Sequence, residues 1–178
     1  LQGAHRLSVD LDFFTTEGSL RMASLERQMR NHGDWTTNFG DAGTLYGKFM
    51  GAKISFIAYP FFRPSKEVAR CGTVTMLKPQ DIAAMKIIAV SQRGRKRDFI
   101  DLYWYCVNRE PLEDVVRRAL RQYPDKKHNV PHILKSLTYF EDAEGDPMPQ
   151  TFFDADWRKI KSYFEREVTK AAKNILGV

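Results

Sequence analysis

From Leu7 to Phe13 apolar and polar residues alternate without interruption. Successive side chains of a β-strand point to opposite faces. The pattern therefore predicts a strand with Leu7, Val9, Leu11 and Phe13 toward a core and Ser8, Asp10 and Asp12 on the other side. The period then lengthens. Leu20, Leu25 and Met29 recur at near-helical spacing, which predicts a helix over about residues 18–31, ended by His32-Gly33. Three short segments rich in aromatic and β-branched residues follow, 34–39, 44–50 and 53–59, with turns at Asp41-Ala42-Gly43 and Met50-Gly51. They read as a meander.

Beyond Met76 the helical period takes over. Pro79 suits a first helical turn, and Ile82, Met85 and Ala89 follow at i, i+3 and i+7. Further helices are predicted over 97–106 (after the break at Gly94), 111–122 and 131–140. A last helix opens at Asp154 as N-cap and carries Trp157, Ile160, Phe164 and Val168 on one face. The fold class is α+β: a small mixed sheet over residues 1–77, then a helical region over 78–178. There is no internal repeat and no low-complexity tract.

Composition narrows this picture only slightly. With 178 residues, 43% hydrophobic and 28% charged, the chain has the balance of an ordinary globular domain. A net charge of +6 and a pI near 9.3 suit a phosphate-rich partner such as nucleic acid without requiring one. Cys71 and Cys106 form no Cys-x-x-Cys pair, so neither a disulfide framework nor a zinc site is expected; they fit a reducing cytoplasm. No apolar run approaches the roughly 18 residues of a membrane span, and no signal peptide opens the chain. The first residue is Leu1 rather than Met, and the sequence is expected to be a fragment.

Several groups could carry chemistry. Asp10 and Asp12, one strand repeat or about 6.5–7 Å apart, can converge on a hard divalent cation, or can be solvated acids of an edge strand. On an ideal helix Lys86 and Arg93 lie within about 20° of each other and could clamp phosphates, or could be an ordinary charged face. Arg93-Gly94-Arg95-Lys96-Arg97 is a basic knuckle suited to a nucleic-acid backbone. Asp98 and Asp101, at i and i+3, share a helical face beside it and can aim its arginines, or can neutralise a helix N-terminus. His128 and His132 read as surface histidines, and Glu141, Asp142, Glu144 and Asp146 as a solvated acidic loop. No Walker loop, Gly-x-Ser-x-Gly elbow or Gly-x-Gly-x-x-Gly fingerprint is present.

Taken in order, these segments resemble the AbiEii/AbiGii nucleotidyltransferase toxins. His5-Arg6-Leu7-Ser8-Val9-Asp10-Leu11-Asp12-Phe13-Phe14 is similar to their metal-binding strand, and residues 53–61 to a later core strand. Asp81-Ile82-Ala83-Ala84-Met85-Lys86, then Arg93 and Lys96-Arg97-Asp98-Phe99-Ile100-Asp101-Leu102-Tyr103, resemble their helical signature. Residues 139–144, Met148-Pro149 and 157–161 match their C-terminal region. The resemblance implies a polymerase β-like nucleotidyltransferase core. Asp10 and Asp12 would bind Mg²⁺, Lys86 would contact nucleotide phosphates, and Asp98, with Arg97 nearby, would complete the catalytic group. Arg6, Ser8, Arg93 and Arg97 would bind substrate. The donor would be an NTP, the acceptor an RNA such as the tRNA 3′ end, and the setting a toxin–antitoxin or phage-defence system with a cognate antitoxin. Two departures accompany this. The superfamily's Gly-Gly-Ser or Gly-Gly-Thr falls upstream of Leu1, so weak or absent transfer is expected of this chain. Ser55 stands where a third carboxylate is often found. A catalytically degenerate fold that binds RNA or a protein, and a metal-dependent nuclease, are the alternatives.

Overall fold

A computed structural model describes residues 3–8, 10–65, 69–124 and 128–177. Val9, part of the alternating pattern, lies outside the described residues. The chain is α+β and divides into two compact units, Ser8–Arg63 and Leu1–Leu7 with Pro64–Val178. This division differs from the expected 1–77 and 78–178, because the first seven residues and a small hairpin group with the helices.

The first unit contains β1 (Asp10–Thr15), α1 (Met22–His32), β2 (Trp35–Asp41), β3 (Thr44–Phe49) and β4 (Ala52–Ala58). The strands form one mixed sheet in the order β1-β4-β3-β2. β1 runs parallel to β4, and the other neighbours are antiparallel. Local chemistry explains the two hairpins. Asp41 Oδ1 accepts the Gly43 N–H at 2.8 Å in the first turn. In the second, Met50 and Gly51 both take positive φ (48° and 83°), as two-residue hairpin turns matched to the strand twist require.

Trp35, Leu45 and Ile54 form the core of this unit, with Leu20, Met22, Leu25, Met29, Phe49 and Phe56 packed against them. Gly47 makes the packing possible: a Cβ there would stand 2.4 Å from the Trp35 indole. The register puts Leu11 beside Ile54 and Phe13 beside Phe56, so both do point to the α1 side. Yet they remain 39% and 40% exposed. The expected burial fails because β1 ends the sheet, while the core gathers over β2, β3 and β4. Leu7 departs further, at 51% exposed. It belongs to the other unit, where its N–H donates to the Gln150 carbonyl at 2.9 Å beside an Arg6–Thr151 bridge.

The second unit contains the hairpin β5 (Ala69–Cys71) and β6 (Val74–Met76), then α2 (Pro79–Arg93), α3 (Lys96–Asn108), α4 (Leu112–Gln122), α5 (Val130–Ser136), α6 (Glu141–Glu144) and α7 (Trp157–Leu176). Gly94 ends α2 in the left-handed region, its N–H donating to Val90 O. Phe99 on α3 packs its ring against Phe140, Trp157 and Phe164, at centroid distances of 5.2, 5.9 and 5.3 Å. Three local expectations are corrected. α7 is capped by Asp156, which accepts the Arg158 N–H, rather than by Asp154. The helix expected over 131–140 stops at Ser136. The acidic stretch forms α6, which buries Ala143 instead of being a solvated loop. Among the described residues no helix is long and apolar enough to cross a membrane, and both cysteines are free.

Candidate active site

Within the sheet unit, strand register sets out the side chains facing away from α1 in rows. One row runs Asp10, Lys53, Lys48, Thr36 from β1 to β2; the next runs Asp12, Ser55, Tyr46, Phe39. Asp10, Asn38, Tyr46, Lys48, Lys53 and Ser55 line a cavity of about 330 Å³ on this face. Asp10 is half-buried and Asp12 exposed. Ser8 is exposed just before the strand. Among the described residues no three His, Cys, Asp or Glu side chains gather into a closed metal cage. Mg²⁺ does not need one, since it is commonly held by one or two carboxylates plus substrate phosphates and waters. Two same-face carboxylates with the Ser55 hydroxyl beside Asp12 fit that requirement in donor chemistry.

In the helical unit three of the other expected site residues, Arg6, Lys86 and Arg93, gather around two acids one turn apart on α3. Asp98 is fully buried and receives Lys86 Nζ at 2.5 Å and Arg93 Nε at 3.3 Å. Asp101 receives Arg6 through Nε at 2.6 Å and Nη2 at 2.8 Å, with His5 Nε2 at 2.8 Å and Lys86 Nζ at 2.9 Å. Lys86 therefore bridges the two carboxylates. The His5 ring, whose Nε2 meets Asp101, stacks on Trp104 at 4.6 Å. Burial works against ionisation of Asp101, but hydrogen bonds from Arg6 and His5 and the charge of Lys86 outweigh it. They hold the carboxyl well below the usual carboxylate range.

The basic knuckle is not uniformly open. Lys96 is 7% exposed, and its Nζ donates to the carbonyls of Glu144 (3.1 Å) and Asp146 (2.6 Å) while lying 5.3 Å from the Trp157 ring centroid. Asp146 also accepts the Lys96 N–H at 3.0 Å and Arg95 Nη1 at 2.8 Å, capping α3 from fifty residues away. Lys96 is thus a structural lysine, which corrects its expected place in a backbone-binding run; Arg93 and Arg97 remain exposed. Asp81, in the first turn of α2, is likewise structural: Ser65 Oγ and Gln122 Nε2 both donate to it at 2.6 Å.

Sequence reasoning paired Asp98 and Asp101 through their i, i+3 spacing but missed His5 and the capping role of Asp146. Neither has a local signal, since their partners lie 96 and 50 residues away.

An α+β chain with a paired carboxylate strand and a helical, charge-networked region is the architecture implied for a nucleotidyltransferase. Residues 61–177 match the family described as "Nucleotidyl transferase AbiEii toxin, Type IV TA system". The chain belongs to this family of nucleotidyltransferase toxins of type IV toxin–antitoxin systems. It is also 30% identical over 175 residues to "Uncharacterized protein aq_aa25" of Aquifex aeolicus (strain VF5), covering 96% of this chain and 82% of that protein. No solved structure matches. The family match contains Lys86, Arg93, Arg97 and Asp98, whereas Arg6, Ser8, Asp10 and Asp12 precede it.

Proposed function

We propose that this chain carries out metal-dependent nucleotidyl transfer from an NTP to an RNA acceptor, such as the tRNA 3′ end. It would act in the cytoplasm as the toxin of a toxin–antitoxin or phage-defence system, restrained by a cognate antitoxin. The observation that carries the reading is the pair Asp10 and Asp12, set on one face of β1 beside Ser55, with Asp10 and Ser55 lining one cavity. Asp10 and Asp12 would hold Mg²⁺, which when bound neutralises charge on the triphosphate and on departing pyrophosphate. The acceptor hydroxyl oxygen bonds to the α-phosphorus, the bond to the β-phosphate bridging oxygen breaks, and the hydroxyl proton leaves to solvent. Arg6, Ser8, Arg93 and Arg97 would bind phosphates of donor or acceptor. Lys86, oriented by Asp98, would add positive charge toward the nucleotide.

One observation favours a second reading, a degenerate fold that binds RNA or a protein without turnover. Lys86 is already engaged by two carboxylates; the resemblance adds that Ser55 stands where a third acid is often found. Incubation with labelled NTPs, Mg²⁺ and total tRNA separates the cases. Label transferred to RNA supports the transferase. RNA bound unchanged supports the degenerate fold, and shortened RNA would make the chain a nuclease.

A further inference from the structure

A pair of aromatic side chains stands exposed on the carboxylate-bearing face of the sheet. Phe39 and Tyr46 are 49% and 41% exposed, with ring centroids 6.0 Å apart and planes inclined by 31°. A β-bulge creates the pair. The β2–β3 register skips Asn38, so Phe39, which by simple alternation would join Trp35 and Thr37 on the α1 side, instead lies beside Tyr46 on the opposite face. An exposed aromatic pair costs apolar hydration, and the core gains nothing from it.

The neighbours identify what would cover it. Tyr46 shares its row with Ser55 and Asp12, and the adjoining row places Lys48 and Lys53 side by side. Strands about 4.8 Å apart put Tyr46 roughly 10 Å from Asp12 along the row. That is room for a strand end: bases on the rings, phosphates at the lysines, and the terminal hydroxyl toward the carboxylates. Asn38, which lines the same cavity, offers an amide to a base edge. Aromatic platforms flanked by cations bind single strands because every base has a π-face, whereas paired bases stay stacked within their own helix.

We propose that Phe39 and Tyr46, with Lys48 and Lys53, form a binding site for the unpaired terminal nucleotides of a single-stranded RNA. The inference rests on the transferase reading for the direction of the strand, toward Asp10 and Asp12, but not for binding itself. Two neighbouring rings and two lysines spread over two rows exceed what one nucleotide needs, which favours an acceptor strand over the base of the NTP.

The test is fluorescence anisotropy with a labelled single-stranded RNA octamer, in Mg²⁺ without NTP so that no transfer can occur. Tyr46→Ala and Phe39→Ala should each weaken binding about 5- to 100-fold. Tyr46→Phe, which keeps the ring, should bind within about twofold of wild type and controls for folding. Lys48→Ala and Lys53→Ala should each lower the slope of log affinity against log salt by about 0.7. The same sequence as a blunt duplex should bind at least tenfold more weakly. Equal affinity for duplex, or indifference to both ring deletions, overturns the proposal. So does an NTP that binds alone with the same dependence on Tyr46, which would make this the donor-base site. A change of mass by light scattering in Phe39→Ala would make the face a self-association surface and also overturn it. If single strands bind as expected while labelled NTP is never transferred, the transferase reading fails and this one stands.

Discussion

Lys86 on α2 reaches Asp98 on α3, and this pair, its carboxylate fully buried, ties the two helices together within the stretch that matches the family. The Asp98 carboxylate is fully enclosed, so its charge depends on Lys86 and on Arg93. Removing one partner of a buried pair leaves an uncompensated charge, which costs far more than the intact pair contributes.

Lys86→Met should therefore lower stability by about 3 kcal/mol in urea unfolding. Adding Asp98→Leu should recover much of that loss, because the stranded carboxylate is then gone. A double variant no more stable than Lys86→Met would show that the pair does not carry this energy.

Asp101 makes stability depend on acid. Its folded-state carboxyl is held below the unfolded value near 3.8, so its contribution is complete above about pH 4. As pH falls from there toward the depressed folded value, that contribution is lost. Asp101→Asn should be destabilised relative to wild type at pH 6, and the gap should narrow by pH 3. Thermal melts across that range check the sign; a gap that widens in acid would contradict the assignment.

Gly47→Ala should destabilise the sheet unit by about 1–3 kcal/mol, the usual cost of overpacking. The added Cβ would meet the Trp35 ring at 2.4 Å and the Thr36 carbonyl at 2.6 Å, and backbone cannot swing aside as a flexible side chain does. Loss of Trp fluorescence at lower denaturant than in wild type is the readout.

Asp10→Asn with Asp12→Asn should leave stability unchanged or slightly higher in Mg²⁺-free buffer, since two neighbouring carboxylates repel each other. The same change should remove any thermal stabilisation by Mg²⁺, because ligand bound to the native state stabilises by mass action. A double variant that melts markedly lower yet still responds to Mg²⁺ would return these acids to a purely structural role.

What the sequence determined by itself is what short-range geometry controls. Aromatic and β-branched segments set between turn residues located β2, β3 and β4 to within a few residues. Helical periodicity with Pro79 and Gly94 located α2, and the i, i+3 spacing put Asp98 and Asp101 on one face of α3. These follow because a side chain's direction depends only on its own backbone and that of its near neighbours. Tertiary structure decided the rest. The same alternation that made Leu11 and Phe13 look like core could not say that β1 would end the sheet, beyond the reach of the Trp35, Leu45 and Ile54 core. One skipped residue, Asn38, turned Phe39 to the opposite face, since a single-residue slip in a period-two pattern reverses every side chain after it. Arg6 and His5 found Asp101, and Asp146 found the start of α3, across 50 residues or more. A buried charge or an unsatisfied helix end requires a partner, but only the folded chain determines which residue, however distant in sequence, stands close enough to supply it.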